Sequence, residues 1–165
     1  FGHSAGAHLA SLLTTHPDYA VSLRPEIRGL VSMSGAYDLA DLQLYEAVWA
    51  SAVNQTFTGG FTDTAALGEA SPSKYVTDAT DLPPCCILYA QTDLPGLTKQ
   101  TIDFVNLLTS HGATLTYDRL EGYGHVSEMS AIQFITETPT SLIVDFVRNV
   151  LWPHRLHLPL VIRGA

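Results

Sequence analysis

The opening residues constrain this chain more than any other stretch. Phe1-Gly2-His3-Ser4-Ala5-Gly6 contains the pattern Gly-x-Ser-x-Gly. A serine in that setting stands on a very tight turn between a strand and a helix, with its hydroxyl clear of the backbone. The turn strains the serine and brings neighbouring backbone close, so Gly2 and Gly6 are expected to remove Cβ atoms that would clash. With Gly near 7% of residues, the pentapeptide arises by chance in roughly one chain in twenty of this length, so its meaning rests on the residues downstream of it. Only Phe1 precedes the pattern, at the place where a strand is expected.

The 165 residues leave room for one domain with a core, and 46% hydrophobic against 15% charged residues describes a globular chain. The net charge is −8, with only 8 Lys and Arg in all, and these do not cluster. That argues against nucleic acid and anionic membrane surfaces as partners. No run of 18 apolar residues occurs, so no membrane span is expected, and no signal peptide is visible. Cys85 and Cys86 are adjacent, a strained geometry for a bridge, and read as small buried hydrophobes. No Cys-x-x-Cys or zinc spacing is present, so no metal or cofactor is expected. The sequon Asn54-Gln55-Thr56 would matter only in a secreted protein.

The periodicities give an order of elements. Residues 5–15 predict a helix whose apolar face is Leu9, Leu12 and Leu13 with Ala5 and Ala10, ended by His16-Pro17. Residues 30–34, bounded by Gly29 and Gly35, predict a buried strand. A turn over 35–39, a helix over 40–52, a loop over 54–60 and a short helix within 62–69 come next. This excursion, residues 36–80, is long for a connection and predicts a lid or wall over a site. Residues 85–90 predict a second strand, 98–110 an amphipathic helix closed by His111-Gly112, and 114–120 a third strand. A loop over 121–125 leads on to a helix over 141–151, and residues 152–165 predict an irregular tail. Strands alternating with helices mean an α/β fold with about three parallel strands and right-handed crossovers. Functional groups then gather in loops at the C-terminal ends of the strands, here 35–39, 91–96 and 122–126.

A serine nucleophile needs a base to take its proton, and the base needs an anion to hold its tautomer and stabilise its charge. Asp93 follows the second strand, and His125 follows the third in Gly122-Tyr123-Gly124-His125. Of the other six histidines, His3 and His8 lie at the elbow and its helix, His16 and His111 at helix ends, and His154 and His157 in the tail. Asp38, at the end of the preceding strand, is a rival acid, with a capping role as its other reading.

GHSAGAHLA, then SGAYDL, SPSKYV, the Asp93 loop and GYGH together resemble the α/β-hydrolase superfamily over about residues 1–150. Within it the wording resembles the kynurenine formamidase and feruloyl-esterase-like group of carboxylesterases. The resemblance implies Ser4 as nucleophile, Asp93 as acid, His125 as base and the backbone N–H of Ala5 as one half of the oxyanion hole. It further implies hydrolysis of a small carboxylic ester or an aryl formamide through an acyl-enzyme, without a metal. The family also carries five strands up to the elbow and an upstream His-Gly-Gly whose N–H groups complete the oxyanion hole. Neither is present here, and Gly59-Gly60 has no preceding histidine. The expectation is therefore a partial domain, residues 1–151, corresponding to the C-terminal part of a hydrolase. Two other readings accompany it: a non-catalytic fragment or binding module of the same fold, and a peptidase of the same fold. The aromatic residues Tyr45, Trp49, Phe57, Phe61 and Tyr75 are candidates for an acyl or aryl pocket, or else the core of the excursion.

Overall fold

The computed structural model describes residues 1–19, 26–42, 64–77 and 82–151. Strand β1 (Gly2–His3) leads through Ser4 into helix α1 (Ala5–Thr15). Strand β2 (Leu30–Met33) is followed by the short helices α2 (Leu39–Leu42) and α3 (Thr64–Glu69) and a 3₁₀ turn (Pro72–Tyr75). Then come β3 (Cys85–Thr92), α4 (Leu97–Ser110), β4 (Leu115–Gly124), α5 (His125–Ala131), α6 (Thr138–Phe146) and a π-helical turn (Val147–Leu151).

The four strands form one parallel sheet in the order β1-β2-β3-β4. That is one strand more than the periodicities predict, because two residues carry no alternation to read. Gly2 pairs with Ser32 and His3 with Met33, so the elbow has its strand and the C-terminal half of β2 is covered.

The two central strands, β2 and the first part of β3, are buried on both faces, which is why they read as unbroken apolar runs, whereas the edge strand β4 is largely exposed and alternates. Leu30, Cys85 and Ile87 point to one side, against Phe104, Val105 and Leu108 of α4. Val31, Met33, Cys86 and Leu88 point to the other, against Phe146 of α6. The adjacent cysteines therefore face opposite ways. Both are free and buried, and burial pushes each thiol up to about 12, which leaves them inert.

Two elements depart from their patterns. In α1 the buried residues are Ala7, His8, Ser11, Leu12, Thr14 and Thr15, while Leu9 and Leu13 are exposed. The turn at Ser4 fixes the rotation of the helix, so sheet contact overrides the leucine stripe. Its inner face is accordingly polar and self-satisfied. Ser11 Oγ donates to Ser32 Oγ (3.2 Å), and Ser32 Oγ pairs with the Tyr37 hydroxyl (2.8 Å). At the other end of the sheet, β4 runs on to Gly124 and α5 starts at His125, where a loop over 121–125 is predicted. Pairing with β3, resumed past an irregularity between Ala90 and Thr92, carries the strand through two glycines.

The predicted helix over 40–52 is described only as α2, and the loop over 54–60, the sequon and the tail over 152–165 lie outside the described residues.

Candidate active site

Ser4 is held at φ 54° and ψ −120°, a region that side-chain-bearing residues rarely adopt. Its N–H donates to Met33 O at 2.9 Å, and its carbonyl accepts from His8 N at 3.0 Å. The chain thus leaves the sheet and enters α1 within one residue. Gly2 makes this possible: a Cβ there would lie 2.1 Å from Gly6 O and 2.6 Å from Ala7 N. Gly6 differs from its expected role. A Cβ at Gly6 would meet nothing within 4 Å, because the close approach is of Gly2 to the backbone at Gly6 and not the reverse. The Ala5 N–H belongs to the opening turn of α1, whose N–H groups lack intrahelical acceptors and carry the positive end of the helix dipole.

Asp93 and His125 come to Ser4 from the ends of β3 and β4. His125 Nε2 lies 3.0 Å from Ser4 Oγ, and His125 Nδ1 lies 2.7 Å from Asp93 Oδ1. Since the carboxylate can only accept, Nδ1 carries the proton and Nε2 is left to accept from the serine hydroxyl. The Asp93 side chain is fully buried. Burial by itself raises its carboxyl. Hydrogen bonds from His125, from Ser34 Oγ to Oδ2 (2.5 Å) and from Leu94 N to Oδ1 (2.7 Å) outweigh that and hold it below the usual carboxylate range. A serine, a tautomer-fixed imidazole and an ionised carboxylate in this order can transfer a proton away from Oγ as it attacks a carbonyl.

Asp38 is not part of this chain of contacts. Its Oδ1 accepts from Ala40 N and Asp41 N, both at 3.0 Å, so it caps α2. Gln100 fixes the same turn, accepting from Tyr37 N (2.8 Å) and Asp38 N (3.0 Å). His8 donates Nδ1–H to Ala36 O at 2.8 Å, and burial lowers its pKa, so it is a neutral structural group. Tyr75 is remote from Ser4. It packs on His16, 4.1 Å between ring centroids, beyond the far end of α1, roughly 18 Å along the helix from Ser4 at 1.5 Å per residue. The other four candidate pocket aromatics lie outside the described residues.

Three residues at the site carry no role in the sequence reading. Ser34, also at positive φ (47°), donates to Asp93 and accepts from Ala90 N at 3.3 Å. His3 and Glu128 meet beside His125, with His3 Nε2 3.1 Å from Glu128 Oε1. His3, His125 and Glu128 bring three metal-type donor atoms within 4.8 Å of one another. The histidine nitrogens are already engaged with the His125 carbonyl, Ser4 and Asp93, so the two imidazoles belong to a hydrogen-bonded network with Glu128 packed beside it. Only Ser34's position, directly after a strand, could have flagged it.

Among solved structures the chain is similar to an acylaminoacyl peptidase of Pyrococcus horikoshii, with TM-score 0.71 and 12% identity over 96% of this chain and 24% of that one. It is also similar to an esterase of Thermogutta terrifontis, with TM-score 0.61 and 18% identity over 88% of this chain and 53% of that one. This is an α/β-hydrolase fold. In sequence, the α/β-hydrolase relationship runs to kynurenine formamidases, 29% identical over 129 residues in Danio rerio and 31% over 128 in Salmo salar. These alignments take in 76% and 75% of this chain. The chain spans about two-fifths of the length of these curated relatives, 41% and 40%, and corresponds to the C-terminal part of the α/β-hydrolase fold. No protein-family model matches it.

Proposed function

We propose that this protein belongs to a serine hydrolase of carboxylic esters or aryl formamides, with Ser4 as nucleophile, His125 as base, Asp93 as acid and the Ala5 N–H as an oxyanion donor. Ser4 Oγ attacks the substrate carbonyl while His125 Nε2 takes its proton. The tetrahedral oxyanion leans on Ala5 N–H and collapses as His125 protonates the departing alcohol or amine. Water then attacks the acyl-serine by the same route, releasing the acid and restoring Ser4.

The observation that carries the reading is the unbroken run of contacts from Ser4 Oγ through both ring nitrogens of His125 to Asp93. It joins three strand ends 121 and 32 residues apart in sequence, and it coincides with the strained elbow at Ser4. Similarity to kynurenine formamidases and to esterases supports the choice of esters and formamides. The described parts of the excursion, residues 36–42 and 64–77, serve in this reading as a wall beside the substrate site. Their packing supports that placement: Ala36, Leu39 and Leu67 pack with Leu97, four residues after Asp93.

The test is turnover of a short-chain aryl ester and of an aryl formamide by the protein and by its Ser4→Ala variant. Hydrolysis of either substrate that disappears in the variant is expected. Equal turnover by both proteins removes Ser4 from the mechanism. No turnover by either favours the non-catalytic reading of this chain.

A further inference from the structure

Glu128 is fully buried, and among the described residues neither of its carboxylate oxygens has an aligned hydrogen-bond donor. A carboxylate sealed from water needs an opposite charge at hand. The group that can supply it is His3, whose Nε2 lies 3.1 Å from Oε1. The Nε2–H itself is aimed elsewhere, at the backbone carbonyl of His125, 2.8 Å away. The two imidazoles also pack, with centroids 4.7 Å apart and planes at 41°. His3 is the residue before Ser4, and Glu128 is the third residue after His125. One side chain from the elbow is therefore tied at once to the backbone that carries His125 and to the helix that follows it.

We infer that the His3–Glu128 ion pair is a clamp that positions His125 against Ser4. Both are positioning residues. The geometry requires His3 to donate from Nε2, and the Glu128 charge favours an imidazolium there. A cation beside His125 would oppose the charge His125 acquires when it takes the serine proton, and the Glu128 carboxylate offsets that opposition. Without Glu128 the clamp loses its ion pair, and His125 can drift from the 3.0 Å contact that proton transfer uses.

The groups facing His3 are Glu128 and His125 of α5 and, farther off, Asp93 after β3. Glu128 is the largest influence and raises its pKa, against the lowering by burial; the His125 carbonyl and Asp93 act with Glu128. With the folded value raised, the pair's contribution is present below the ordinary value of 6.5 and is lost as pH rises through the folded one.

The inference rests on Ser4 and His125 acting as proposed above, so the test has one arm that needs no turnover. Nitrogen-15 histidine spectra of the protein should show His3 still mostly protonated at pH 6.5, and clearly less protonated there in Glu128→Gln. A His3 neutral at pH 6.5 in the unaltered protein, or unmoved by Glu128→Gln, overturns the clamp even if no activity is found. In the turnover arm, Glu128→Gln and His3→Gln should each lower kcat roughly tenfold with KM within about twofold. The unaltered protein should show an alkaline decline of kcat/KM as His3 loses its proton, and Glu128→Gln should abolish it. Variants that keep the parent kcat and the parent alkaline limb overturn the clamp. Absence of Ser4-dependent turnover in the unaltered protein counts against the hydrolase reading alone, and the spectra then decide the clamp.

Discussion

Replacing Asp93 by Asn tests the electrostatic heart of the site with almost no change of shape. Leu94 N and His125 Nδ1 both donate to Oδ1, whereas Oδ2 faces Ser34 Oγ. An Asn side chain is therefore steered into one orientation, its oxygen toward Leu94 and His125 and its amide toward Ser34 Oγ. In that orientation His125 keeps its tautomer and loses only the negative charge. Two unit charges about 4 Å apart at an effective dielectric near 20 interact by ~4 kcal/mol. At 1.36 kcal/mol per decade, loss of that interaction with the imidazolium of the proposed mechanism slows the reaction roughly 10³-fold. The assay is kcat on the aryl ester or formamide, with thermal melting to confirm folding. Acid titration gives a second readout. The folded-state pKa of Asp93 is lowered, so its ionisation contributes stability above the ordinary value of 3.8 that is lost as pH falls toward the folded one. That component should be missing in Asp93→Asn. A folded Asp93→Asn variant within tenfold of the parent kcat refutes the reasoning.

Other substitutions separate structural from chemical roles. Gly2→Ala places a Cβ 2.1 Å from Gly6 O, a backbone atom that cannot rotate away. A loss at or above the upper end of the ~1–3 kcal/mol seen for overpacking is expected in denaturant melts, with loss of Ser4 reactivity. Gly6→Ala, whose Cβ meets open space, should leave melting nearly unchanged. Ser34→Ala removes a donor from a buried carboxylate and should cost about 1.5–3 kcal/mol of stability and lower kcat about tenfold. Asp38→Ala removes the cap of α2 and should cost about 1 kcal/mol of stability with kcat unchanged, which separates it from Asp93.

Ser4, Asp93 and His125 could be singled out in the sequence because their positions obey local rules. Gly2 is dictated by a turn five residues long, and Asp93 and His125 sit where parallel strands end, a place that periodicity can find. What the sequence did not carry depends on contacts between distant segments. Leu9 and Leu13 look like a core stripe, yet the rotation of α1 is set at Ser4, not by the helix's own pattern. The end of β4 is hidden because Gly122 and Gly124 read as a turn until pairing with β3 overrides them. Ser34 meets Asp93 across 59 residues, and His3 meets the His125 carbonyl across 122. No spacing rule links such partners, so the residues around the serine, histidine and aspartate became visible only in three dimensions.

The central claim is that Ser4 is a nucleophile made reactive by His125. The most direct measurement is incubation with a fluorophosphonate, followed by digestion and mass spectrometry to locate the phosphonyl group. The account predicts a single adduct on Ser4, absent in Ser4→Ala and strongly slowed in His125→Ala. An adduct on another residue, or labelling of Ser4 at the same rate in His125→Ala, would contradict it.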